Sequence, residues 1–238
     1  MMPEDLDQIC QLALLSGLTP ETLLELAKGA FLQFFAADTL LFGQGDLPDF
    51  LYILVAGFVQ LVGNTPQRRQ SVIEILGPVE MFMPDAALTM SPYLVSARVL
   101  RPARILMLPA PAVRAQVIRD RRFAMAVSLA LSRRYCALVG QAKSLKLLGA
   151  TQRLARYLLT LKQQSGGAGR VRLPFEKRII ASLLGMTAES LSRSLTELRK
   201  LGVENAGDEV TLKDVPALEA YCRPDPLDAT AQSEIPAN

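Results

Sequence analysis

Near residue 110 the hydrophobic pattern changes its period, and that change limits the architecture of the chain more than any other feature. Between Thr39 and Leu108 apolar residues come in short runs separated by turn formers. Residues 40–42 precede Gly43-Gln44-Gly45-Asp46, and runs at 51–55, 58–62 and 72–76 are broken by Ala56-Gly57 and Gly63-Asn64-Thr65-Pro66. Two more runs lie at 96–100 and 104–108. Many short strands at regular spacing predict an antiparallel sandwich or roll. Two short helices, 5–16 and 20–28, precede it, with Thr19 as N-cap and Pro20 at the first helical position of the second. After Ala112 the spacing is helical: 112–118, 121–148, 151–164, 175–184 and a last helix to Lys200. Sheet first and helices afterwards make this an α+β chain.

Residues 121–148 contain no proline and can form one helix, roughly 40 Å long at 1.5 Å per residue. Its first half is apolar almost all round: Phe123, Met125, Val127, Leu129, Leu131, Tyr135 and Leu138. Such a helix needs two partners. One is the preceding roll and the other is the same helix of a second subunit, with Met125, Leu129, Cys136 and Val139 as candidate dimerisation residues; packing inside one monomer is the competing account. The longest uncharged apolar run, 123–132, falls well short of the roughly 18–20 residues that span a bilayer. It is also flanked by the arginine pairs 121–122 and 133–134, so no membrane partner is expected. The acidic N-terminus does not read as a secretory signal. Cys10, Cys136 and Cys222 are scattered and odd in number, which fits free thiols in a reducing cytoplasm. Cys10 and Cys136 read as small buried helix residues.

The chain has no histidine, which removes histidine acid–base catalysis, the usual nucleophilic triads and most transition-metal and haem sites. It also lacks Gly-x-Ser-x-Gly, a P-loop and Cys-x-x-Cys, so no enzymatic activity is expected. The formal net charge of +3 hides an asymmetry. Residues 1–66 carry Lys28 alone against eight acids, a net −7, whereas 67–146 carry +9, 147–201 carry +7 and 202–238 carry −6. A polyanion would be drawn to the two middle segments.

Within 147–201 lie a helix at 175–184, the turn Gly185-Met186-Thr187 and the last helix. That is the pattern of a helix-turn-helix DNA reader. Thr187 can cap the second helix. Leu191, Leu195 and Leu198 share one face at i, i+4 and i+7, while Glu189, Ser192, Arg193, Thr196 and Lys200 share the opposite one. Arg193 can donate two hydrogen bonds to guanine O6 and N7, and Glu189 can accept from a base amino group or orient Arg193. Ser192 and Thr196 can reach bases or phosphates. Arg172, Lys177, Arg178, Arg199 and Lys200 are candidate phosphate contacts. A Glu–Arg pair one turn apart is also common on solvated helices. The preceding helix, the basic segment and a hairpin signal at 202–212 favour DNA.

On these residues the chain resembles the cyclic-AMP receptor protein and fumarate–nitrate reduction regulator (CRP/FNR) family, from about residue 10 to 220. Gly45-Asp46, Leu51-Tyr52 and Gly57-Phe58-Val59-Gln60-Leu61 look like early strands of its effector roll; Thr151-Gln152-Arg153-Leu154-Ala155 looks like the start of its C-terminal domain. Leu184-Gly185-Met186-Thr187 and Glu189-Ser190-Leu191-Ser192-Arg193 are similar to its helix-turn-helix, and the Glu-x-x-Ser-Arg spacing resembles the branch that reads TTGA-type half-sites. The resemblance implies a cyclic-nucleotide-binding-like antiparallel β-roll over 1–120, a dimerisation helix over 121–148, a winged helix-turn-helix over 149–222 and a disordered tail over 223–238. It implies a cytoplasmic bacterial activator whose partners are double-stranded DNA, RNA polymerase, a second copy of the chain and a small-molecule or gas effector.

The family's phosphate cassette pairs Gly-Glu with an Arg ten residues after the Glu, ahead of Ser/Thr-Ala. Anchored on Ser96-Ala97, it falls on Pro84-Asp85 and Val95, so the phosphate-pairing cation is missing and Pro84 removes a backbone donor. Cyclic AMP is not expected as ligand. Neither is an iron–sulfur cluster, which needs four thiolates. Ser91-Pro92-Tyr93-Leu94-Val95-Ser96-Ala97 is similar to the Dnr/Nnr branch, whose members respond to nitric oxide. Some of those members bind haem, which here would need Cys, Met, Tyr or a backbone terminus as ligand. Pro84, Asp85, Tyr93, Val95 and Ser96 are the candidate effector-pocket residues. The alternative function is a cyclic-nucleotide-binding regulatory module acting through protein partners.

Overall fold

A computed structural model describes residue 15 and residues 17–64, 70–166 and 169–222. The expected helix at 5–16 (apart from Leu15), Cys10 and the tail at 223–238 lie outside the described residues. The chain divides into two compact units, Met1–Arg134 and Tyr135–Asn238, and the division falls inside the long helix.

In the first unit, α1 (Pro20–Ala27) is capped by Thr19, whose hydroxyl accepts the Thr22 N–H. A six-stranded antiparallel sheet follows, ordered β1 (Phe31–Phe35), β6 (Ser96–Pro109), β3 (Phe50–Asn64), β4 (Gln70–Leu76). In addition, β2 (Leu40–Phe42) pairs with β6, and β5 (Glu80–Phe82) with β3. The sequence runs at 51–55 and 58–62 are not two strands but one, and so are those at 96–100 and 104–108. Ala56 pairs with Arg104 and Phe58 with Arg101, so Gly57 lies opposite Pro102-Ala103, and the register shifts there without breaking the ladder. The turn-like residues bend both strands at a shared bulge rather than ending them. Gly57 takes φ +88, and a Cβ there would stand 2.2 Å from the Pro102 carbonyl oxygen. Only glycine fits that approach.

Behind the roll come α2 (Pro84–Thr89), α3 (Ala110–Arg119) and α4 (Arg121–Leu147). One core joins Leu26, Leu51, Ile53, Leu106, Leu108 and Val113 to Phe123 and Val127 of α4. Asp120 caps α4: one carboxylate oxygen accepts the Arg122 and Phe123 amides at 2.7 and 3.2 Å. The other accepts the hydroxyl of Thr22 from α1, and that hydroxyl in turn accepts from buried Gln116. The Thr22 bond and the two amides hold the Asp120 carboxyl below its ordinary pKa.

Only Phe123 and Val127 of α4 are buried. Met125, Leu129, Tyr135, Leu138 and Val139 are exposed, and so is Cys136, which corrects its expected place in the core. By length and composition α4 could cross a membrane. Arg133 and Arg134 stand at its middle, however, and Arg134 is ion-paired to Glu74. A charged pair there is costly in lipid.

In the second unit, α5 (Ala150–Gln164) buries Leu154, Ala155, Tyr157, Leu158 and Leu161. It packs with α6 (Lys177–Leu183), α7 (Ala188–Leu198), a 3-10 turn (Arg199–Leu201) and α8 (Val215–Cys222) around an antiparallel sheet. The hairpin of β8 (Val203–Ala206) and β9 (Glu209–Leu212) is extended by β7 (Arg170–Arg172) in the order β7-β9-β8. Burial pushes the Cys222 thiol up to about 11, which keeps it protonated and unreactive at neutral pH. The buried Tyr157 hydroxyl finds no hydrogen-bond partner among the described residues. Tyr157→Phe removes an unsatisfied polar group, so thermal unfolding of the variant should show stability unchanged or raised by about 1 kcal/mol. A loss of similar size would mean that the hydroxyl has a partner in solution.

Candidate nucleic-acid interface

Helix α7 begins at Thr187, whose Oγ1 accepts the Ser190 N–H at 3.1 Å. Leu191, Leu195 and Leu198 are buried, as their spacing predicts, and Glu189, Ser192, Arg193, Thr196, Arg199 and Lys200 are exposed on the far side. Arg193 is tethered by Ser190, not by Glu189: its Nη2 donates to Ser190 Oγ at 3.2 Å, and Ser190 Oγ is itself 3.1 Å from Thr187 Oγ1. The sequence held a hint of this in the Thr-x-x-Ser spacing that places two hydroxyls at the helix start. Ser192 and Thr196 donate back to the carbonyls of Ala188 and Ser192, at 3.1 Å each. Their hydrogens are thus used on the helix, and what their oxygens retain is acceptor capacity.

Lys177 is half-buried and Arg178 exposed on the helix before the turn. Arg172 is more committed than expected: its Nε donates to Asp208 Oδ2 at 2.6 Å across the wing, so only its outer nitrogens remain for a phosphate. That bond, with the Asp208 and Glu209 charges, raises the Arg172 pKa; the same bond, with the Asp208 backbone amide and the Arg172 charge, lowers that of Asp208.

The candidate effector residues lie in the roll. Pro84 is buried at the first position of α2 and Asp85 is exposed beside it. Ser96 Oγ accepts the Gln44 N–H at 2.9 Å and the Asn64 side-chain amide at 3.4 Å, so it closes a loop. Tyr93 is buried and stacked on Phe42 at 3.8 Å, while Tyr52 stacks on Phe82 at 5.2 Å. Val95 packs against this aromatic cluster. Burial raises the pKa of both tyrosines, which keeps the phenols neutral and makes them poor metal ligands. Among the described residues no group of three or more Cys, Asp or Glu could hold a metal ion.

A helix-turn-helix with a wing, on one chain with an antiparallel roll, defines a DNA-binding transcriptional regulator with an effector-binding domain. Residues 152–221 match the Crp-like helix-turn-helix domain, and residues 19–120 match the cyclic nucleotide-binding domain. The chain belongs to the CRP/FNR family of transcriptional regulators. It is 25% identical over 220 residues to the CRP-like cAMP-activated global transcriptional regulator of Mycobacterium tuberculosis, covering 90% of this chain and 98% of the relative. It is 27% identical over 163 residues to the nitrogen fixation regulation protein FixK of Rhizobium meliloti, covering 67% and 71%. The crystal structure of DNR from Pseudomonas aeruginosa is similar with a TM-score of 0.50 and 25% identity, over 93% of this chain and 99% of that one.

Proposed function

We propose that the protein is a homodimer that reads a palindromic TTGA-like site with one α7 per half-site, and that a small uncharged effector in the roll, of the size of nitric oxide, sets its affinity for DNA. The observation that carries the reading is the exposed polar face of α7, where Arg193 is held outward by Ser190. Met125, Leu129, Cys136 and Val139 support the dimer: they fall on a and d positions of one heptad register, with Ser132 at the position between, and are exposed in the protomer. The aromatic interior, with Val95 where the family has its phosphate-pairing arginine, favours a small apolar ligand over a cyclic nucleotide.

Arg193→Ala tests the reading head. Affinity for a TTGA palindrome should fall by about 1–3 kcal/mol, roughly 5- to 150-fold, with discrimination relaxed at one base pair. Equal losses on the palindrome and a scrambled duplex would overturn the assignment. For the effector, DNA affinity should respond to nitric oxide and not to cyclic AMP. An absorption spectrum of protein mixed with haem should lack a Soret band that shifts with nitric oxide; such a band would overturn the haem-free roll.

A further inference from the structure

We propose that Arg153 is a positioning residue that fixes the recognition helix against the end of α4, and thereby sets the half-site spacing the protein accepts. The spacing part rests on the palindrome-binding homodimer proposed above. Arg153 lies in the first turn of α5, and its guanidinium reaches three main-chain carbonyls. Nη1 donates to Leu148 O at 2.7 Å, Nε to Leu184 O at 2.8 Å and Nη2 to Gly185 O at 3.2 Å. Leu148 follows the last residue of α4, and its amide still bonds into that helix through Ser144 O. Leu184 and Gly185 end α6, two residues before the Thr187 cap of α7. Carbonyls at helix C-termini have no partner within their own helix, and two such ends meet on one cation.

A second contact reinforces the joint. Gly185 has φ +62, and a Cβ on it would lie 2.7 Å from Leu145 Cδ2, so the reading turn rests directly on the final turn of α4. The end of α4, the start of α5 and the helix-turn-helix turn are therefore fastened at a single point. The planar fork of arginine spans three carbonyls at once; a lysine ammonium on its flexible stem does not reproduce that geometry. With this joint intact, the angle between α7 and the end of α4 is fixed. In a dimer that angle determines how far apart the two recognition helices stand.

The test uses full-length protein and duplexes whose two half-sites are separated by the optimal spacer or by one and two base pairs more or fewer. Wild type should prefer one spacer by about tenfold or more. Arg153→Gln and Arg153→Lys should both flatten that preference to within about threefold, while a mismatched half-site stays as unfavourable as it is for wild type. An unchanged spacing profile overturns the proposal. A uniform loss at every spacer with a shallower salt dependence also overturns it, because that is the signature of a phosphate contact. Hydrogen exchange reads the joint without DNA: the Gly185 and Met186 amides, bonded to Ser182 O and Ala181 O, should exchange about tenfold faster in both variants. If wild type binds one half-site as tightly as two, the palindrome reading fails. Exchange then decides the joint separately, and unchanged rates overturn it.

Discussion

Leu129→Asp should convert the protein to a monomer and weaken its binding to a two-half-site duplex by about a hundredfold or more, since the second half-site is then no longer held at high effective concentration. Leu129 is 52% exposed in the protomer and Met125 is 54% exposed, so neither contributes a core side chain to the unit it belongs to. Exposed apolar residues at heptad spacing on a long helix call for a second helix. A carboxylate in that seam faces its own copy, and two desolvated like charges oppose association. Phe123 and Val127, the buried residues of α4, are untouched, so the melting curve of the roll should stay near that of wild type. Light scattering after size exclusion measures the mass, and titration with single and paired half-sites measures the avidity. A variant that remains dimeric would move the interface elsewhere.

Gly57→Ala should destabilise the roll by about 2–4 kcal/mol, through the left-handed backbone and the clash together. The added methyl would lie 2.2 Å from the Pro102 oxygen and 2.6 Å from Ala103 Cα, both backbone atoms of the facing strand. Neither can move without opening the β3–β6 ladder that organises the sheet. Gly45→Ala is the control: it has φ +94 but nothing within 4 Å, so it carries the conformational cost alone. Chemical denaturation of the two variants separates the terms. Equal losses would mean that the strands relax around the methyl.

The reading helix was legible because its pattern is local. Leu191, Leu195 and Leu198 repeat at the helical period, so the polar face follows from them, and Thr187 marks its start. The roll was legible as a class but not in its strands. Ala56-Gly57 and Arg101-Pro102-Ala103 look like turns in isolation, and only their pairing across the sheet reveals a shared bend. Phe31–Phe35 went unread as a strand because its apolar residues do not alternate cleanly; its pairing with β6, far along the chain, is what places it. Arg172 and Asp208 are 36 residues apart, so no window of the sequence joins them. For the same reason Arg153 could be noted only as part of a motif; its three partners are carbonyls, which no side-chain pattern records.

The cap of α4 bears on the dimer face in a way its chemistry alone does not suggest. A helix turns about 100° per residue, so the residue at which it starts determines the compass direction of every side chain after it. Here the start is fixed at Asp120 by its bonds to the Arg122 and Phe123 amides, and Asp120 is anchored by Thr22, 98 residues earlier in the chain. If α4 began one residue later, Met125 and Leu129 would swing a quarter turn or more away from a partner helix. In the proposed dimer the bearing of that seam would be set at a hydroxyl in α1, and a change that loosens α1 would reach the subunit contact as a rotation.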